Sequence, residues 1–119
     1  MSELVDPLGQ LSIERNERSP AVILTLRGDI DLVTAPQMKT AVAEALKAAP
    51  PLLVLDLTAV DFLASTGLTA LLTIVREIPA GSTLRIVASG RATMRPIELT
   101  GLEKSLPLYR TLDEALSEA

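Results

Sequence analysis

The chain has 119 residues, 48% hydrophobic and 22% charged, with a net charge of −4; that is an ordinary globular balance, sized for one domain, and it argues against wholesale disorder. With no cysteine and no histidine, the chain has no disulfides, thiolate chemistry, zinc site of the usual type or Ser-His-Asp triad. Phe62 and Tyr109 are the only aromatics and no Lys/Arg cluster stands out, so the core is built from aliphatic side chains, and the stacking platforms and basic stripe of a nucleic-acid binder are missing.

The N-terminal "MSELVDPLGQ" is acidic and lacks the apolar segment of a secretory leader. Residues 1–9, with Pro7 and Gly9, are expected to be loosely ordered within a single domain spanning 1–119. "QLSIERN" alternates apolar and polar, "ERSP" reads as a turn, and "AVILTLRG" places Val22, Leu24 and Leu26 on one face; together they predict an antiparallel hairpin. "TAPQMKTAVAEALKAAP" predicts a helix. Thr34 and Gln37 form a capping box, Pro36 sits in the first turn, Met38, Val42 and Leu46 recur at helical spacing, and Pro50 and Pro51 end the segment.

"LLVLDL" (52–57) predicts a central strand, closed by a turn over 61–67, "DFLASTG", with Asp56 capping a turn at the strand's end. Leu68, Leu71, Leu72 and Val75 then form the apolar stripe of a second helix. The uncharged run 62–75 is too short to span a bilayer. "STLRIVAS" is a further strand. "ATMRPIELTGL" reads as a helix kinked or started late at Pro96, a short strand is expected near 107–109, and Thr111 and Glu114 cap a last helix. The fold class is therefore α/β: a mixed sheet opened by a hairpin, with several parallel neighbours and about four packed helices.

The turn between the central strand and the second helix is where α/β proteins commonly place function. Ser65 at the helix start serves as an N-cap worth about 1 kcal/mol. A cap needs one hydroxyl, yet Thr66 supplies a second, and Gly67 in the first turn costs about 1 kcal/mol of helix propensity; a glycine there suits close approach by another surface. A helix N-terminus also tolerates a phosphate, which would add nearly two negative charges beside Asp61, Asp29 and Asp31 and repel a docked partner. Asp29 and Asp31 suit a solvated loop near a helix N-terminus. As paired carboxylates they also suggest acid/base work or a magnesium ligand, but no nucleophile or cation is organised beside them. No phosphate-cradling G-x-x-x-x-G-K-[ST] or G-x-G-x-x-G occurs.

"VLDLTAVDFLASTGLTALL" strongly resembles the signature of bacterial anti-sigma factor antagonists, whose fold is the STAS domain. "GDIDLVTAPQM" and "IELTGLEKSLPLYRTLDEAL" resemble the family's stretch before its first helix and its closing segment, so the similarity runs over 11–116. The resemblance implies a STAS-type sheet and a regulatory cycle. The unphosphorylated antagonist binds an anti-sigma factor, which releases its sigma factor; the anti-sigma factor is itself a serine kinase that phosphorylates the antagonist, and a serine phosphatase restores it. By position the phosphorylated serine is Ser65. Asp31 corresponds to the acidic residue near it, and Ala64 stands where the family usually has Asp.

On this reading the partner-binding surface comprises Asp29, Asp31 and Thr34, with Asp61, Phe62 and Ala64, and Ser65, Thr66, Gly67 and Thr69. The protein is expected to be a cytoplasmic non-enzyme with no cofactor, metal, direct nucleic-acid contact or membrane insertion. The alternative is a constitutive STAS interaction subunit, for example of a lipid-transport complex, with Ser65 only a helix cap.

Overall fold

The computed structural model describes residues 4–5, by their backbone, and 11–117. β2 (Leu11–Arg18) and β3 (Ala21–Ile30) form the predicted hairpin, paired from Leu11↔Gly28 to Arg18↔Ala21. β1 (Leu4–Val5) adds to the outer edge of β2. These two residues fall in the stretch expected to be loose; the rest of 1–9 lies outside the described residues. α1 (Ala35–Leu46), β4 (Leu52–Leu63), α2 (Ser65–Glu77), β5 (Thr83–Val87), α3 (Arg91–Leu99), β6 (Leu108–Tyr109) and α4 (Leu112–Ser117) follow. The strands lie in the order β1-β2-β3-β4-β5-β6, antiparallel up to β3 and parallel from β3 onward. Parallel neighbours need crossovers, and α1, α2 and α3 supply them.

Strand alternation sorts the core into two layers. Leu24, Leu26, Leu53, Leu55 and Ile86 meet Met38, Val42, Leu71 and Ile97 from the three crossover helices. Ile23, Val54 and Val87 face the other way, against Ala115 of α4. On that second face Arg85 donates to the Ala115 carbonyl at 2.7 Å and stacks its guanidinium 5.3 Å from the Tyr109 ring centre, tying the last helix to the sheet.

Several local expectations change. β4 runs on to Leu63, so residues 61–63 are strand and not turn. Asp56 is therefore mid-strand. It is 8% exposed, and its Oδ1 accepts from the Thr58 amide (3.0 Å) and hydroxyl (2.8 Å) beside a bulge. Between Thr25 and Arg27, β4 advances from Asp56 to Ala59; between Gly28 and Asp29 it advances from Val60 to Phe62. Each irregularity gives β4 one extra residue.

The buried face of α2 is Gly67, Leu68, Ala70, Leu71 and Ile74, while Leu72 and Val75 are only partly covered. The Thr34–Gln37 capping box does not form: α1 has no side-chain cap, and the Gln37 amide reaches the Leu11 carbonyl instead. α1 ends at Leu46, ahead of the prolines, with Ala49 in the left-handed region at φ 50°. α3 starts at Arg91, so Pro96 lies inside the helix and does not delay it. At α4, Thr111 Oγ1 accepts from the Glu114 amide as expected, while Glu114 reaches back to the amide of Arg110 and not of Thr111.

Candidate functional site

The candidate surface lies where the C-terminal ends of β3 and β4 emerge from the sheet. The last rungs of their parallel ladder are Asp29↔Phe62 and Ile30↔Leu63, and the Ala64 amide donates to the Ile30 carbonyl at 2.9 Å. Asp31 and Ser65 each follow directly on a member of that hydrogen-bonded pair. The β3–α1 connection and the start of α2 are thus brought side by side, as the sequence analysis expected.

Ser65 is exposed, and it is the first residue of α2, not its cap. The N-cap is Ala64, extended at φ −79°, ψ 165°, and no side chain caps the helix. The reading of Ser65 as only a helix cap is thereby corrected. An N-cap must sit half outside the helix to fold its oxygen back onto the first turn, and Ser65 is already inside. Thr66 beside it is also exposed. Thr69 is exposed too, but its hydroxyl turns back to the Ser65 carbonyl at 3.1 Å, and Thr73 repeats the pattern toward Thr69 at 3.0 Å. α2 carries no charged side chain before Arg76.

Gly67 is buried, which places it behind the surface and not on it. A Cβ there would lie 2.8 Å from Ile30 Cγ2, 2.9 Å from the Ile30 carbonyl oxygen and 2.9 Å from Leu63 Cδ1. The surface that needs this glycine is the protein's own β3 end. Thr34, at 1% exposed, is likewise a support. Its hydroxyl donates to the Asp29 carbonyl (2.8 Å) and accepts from the Asp31 amide (2.9 Å). Asp31 Oδ1 accepts from the Val33 and Thr34 amides, both at 3.0 Å. Asp29 and Ala64 are half-buried, and Asp61 is exposed. Among the described residues no group of acidic side chains is placed to hold a metal ion.

Sequence reasoning found Phe62 but missed two further exposed apolar residues at this end of the sheet. Leu32 (73% exposed), Val33 (66%) and Phe62 (52%) are three of the four large apolar side chains left exposed among the described residues; Leu99, on α3, is the fourth. Single exposed apolar residues are ordinary. Three at the same end of two adjacent strands have the charge-poor composition of an interface core. The available signal was the "LV" pair inside "DLVT", where a solvated loop would be polar.

The chain matches the STAS domain family over residues 12–115. It is 39% identical over 101 residues, 85% of this chain and 83% of the relative, to the anti-sigma-F factor antagonist RsfB of Mycobacterium tuberculosis. Among solved structures, an anti-sigma factor antagonist from Mycobacterium paratuberculosis superposes with a TM-score of 0.85 at 39% identity, covering 96% of this chain and 97% of the other. The unphosphorylated form of the antagonist SpoIIAA shares the fold at a TM-score of 0.68 and 18% identity, covering 87% of this chain and 92% of the other. With nearly its whole described length matched by the family model and a relative at 39% identity over 85% of its length, the chain belongs to the STAS domain family.

Proposed function

We propose that this protein is an anti-sigma factor antagonist whose binding to its anti-sigma factor is switched off by phosphorylation of Ser65. The observation that carries the reading is Ser65 itself: an exposed hydroxyl at the first position of α2 with no capping duty, at the end of the sheet where β3 and β4 also lead to the exposed Leu32, Val33 and Phe62. Relatives at 39% identity are named anti-sigma factor antagonists. SpoIIAA, which shares the fold, is known in a phosphorylated form as well.

The chemistry is one of contact. An uncharged helix face and three apolar side chains bury well against a partner. A phosphate of nearly two negative charges in that contact must be desolvated, and α2 offers it no counter-charge before Arg76. Ala64 removes the carboxylate that the family usually places next to the serine, so the hydroxyl is approached without that neighbour. The protein acts as a kinase substrate and not as an enzyme. Its setting is the cytoplasm, its partner is an anti-sigma factor with serine kinase activity, and a serine phosphatase resets it. No helix among the described residues is long and apolar enough to cross a membrane.

The test is a capture experiment from host lysate with Ser65→Ala and Ser65→Glu baits, read by mass spectrometry. A kinase-like anti-sigma factor held by the Ala bait and lost with Glu supports both partner and switch. The same partner on both baits keeps the binding function and removes the switch. A membrane transport complex on both moves the chain to the lipid-transport branch of the fold.

A further inference from the structure

We infer that Asp31 serves partner binding as a hydrogen-bonding clasp and not as a charge: it holds the β3–α1 connection so that Leu32 and Val33 stand outward as anchors for an apolar concavity on the partner. The inference rests on the proposed anti-sigma factor as that partner.

The connection spans only residues 31–34, and three of its four amides are held by side-chain oxygens within it. Asp31 Oδ1 receives the amides of Val33 and Thr34 at 3.0 Å each. The Asp31 amide is taken by Thr34 Oγ1 at 2.9 Å, and that hydroxyl donates onward to the Asp29 carbonyl at 2.8 Å. The Asp31 carbonyl receives the Ala35 amide at 2.8 Å. Thr34 is buried beneath, while Leu32 and Val33 are 73% and 66% exposed.

Left to itself, a short loop with two apolar side chains would fold them onto the surface and remove them from water. Here the hydrogen bonds fix the backbone with both side chains outward. Fixing them before binding lowers the ordering cost that association otherwise meets. Apolar side chains held out in this way fit a recess lined with apolar groups; a charged surface would gain nothing from them.

The role needs an acceptor oxygen at position 31, and it needs no negative charge. An asparagine side chain offers the same carbonyl oxygen to the same two amides. Alanine offers none. A residue acting by its charge, toward a cation or a basic patch on the partner, gives the opposite ranking: asparagine and alanine fail alike.

The experiment compares wild type, Asp31→Asn, Asp31→Ala and the double variant Leu32→Ala/Val33→Ala, each first shown to be folded by circular dichroism. Amide hydrogen exchange by NMR reads the Val33 and Thr34 amides in the free protein, and calorimetry reads affinity for the purified anti-sigma factor. In Asp31→Asn, both amides are expected to stay protected and Kd to remain within about 3-fold of wild type. Asp31→Ala is expected to lose the protection and to bind about 10-fold more weakly. The double variant should keep the protection and bind at least about 10-fold more weakly, as truncated apolar anchors do. Asp31→Asn binding as poorly as Asp31→Ala while its amides remain protected overturns the inference in favour of charge, and full affinity of the double variant overturns the anchors. Should wild type bind no anti-sigma factor, the functional reading falls separately. Exchange then decides the clasp alone: protection lost only in Asp31→Ala upholds it, and unprotected wild-type amides overturn it.

Discussion

Gly67 packs directly against Ile30: a methyl group added to the glycine would sit 2.8 Å from Ile30 Cγ2 and 2.9 Å from the Ile30 carbonyl oxygen. The same carbonyl accepts the Ala64 amide at 2.9 Å. The first turn of α2 is thus pressed onto the end of β3, and that contact sets how Ser65 stands relative to Asp31.

Gly67→Ala is therefore expected to destabilise the protein. Alanine gains about 1 kcal/mol of helix propensity, but two of the clashing contacts involve Ile30, and one of those is backbone that cannot swing aside. Overpacking of this kind costs about 1–3 kcal/mol. Urea unfolding should show a net loss, and a net gain would mean that the helix start moves away from β3 freely.

Ser65→Ala is expected to leave stability within about 0.5 kcal/mol of wild type, as surface changes without a special role do. The hydroxyl caps nothing, because the N-cap is Ala64. A loss near 1 kcal/mol in thermal or urea unfolding is what removal of a genuine cap produces, and it would return Ser65 to a structural role.

Ala64→Asp is the complementary change. Ala64 already has the extended backbone of an N-cap and lacks only the side-chain acceptor. Aspartate there accepts an amide of the first turn and meets the positive end of the helix dipole. A gain of about 1 kcal/mol is expected, equivalent to roughly 3–5 °C in Tm for a domain of this size. Differential scanning calorimetry reads it directly, and an unchanged Tm would show that the first turn is already satisfied by water.

The sequence carried the strand and helix order from 11 onward because long apolar runs and helical spacing report buried faces directly. It carried less of the site, for reasons seen in particular residues. Leu57, Val60 and Leu63 are the buried positions along the outer half of β4, three apart instead of two. The extra residues at the two irregularities break the period that identifies a strand, so the sequence of 61–63 has the pattern of a turn. Gly67 suggests room for a partner in the sequence because its true neighbour, Ile30, is distant along the chain. The pairing of Thr34 with Asp29 and Asp31 displaced a capping box whose pattern was correct. Leu32 and Val33 have no period at all, and their exposure shows only once α1 and α2 are in place.

The first bulge of β4 is held by Asp56. Asp56 is nearly buried, yet its carboxylate oxygen holds the amide and hydroxyl of Thr58 where β4 gains its first extra residue. One extra residue reverses which side chains face the core, so the first irregularity turns Val60 inward after Leu57, and the second, between Val60 and Phe62, restores the original sides, with Leu63 buried and Phe62 exposed opposite Asp29. Asp56→Ala removes both hydrogen bonds and leaves the Thr58 amide without its acceptor, at a cost of about 1–3 kcal/mol. Asp56→Asn keeps a carbonyl oxygen in place and is expected to retain most of that stability. Urea unfolding of the two variants should separate them by at least about 1 kcal/mol, and amide exchange along 58–62 should rise only in the alanine variant. Equal stability of the two would show that the bulge is fixed by the packing of Leu57 and Val60 alone.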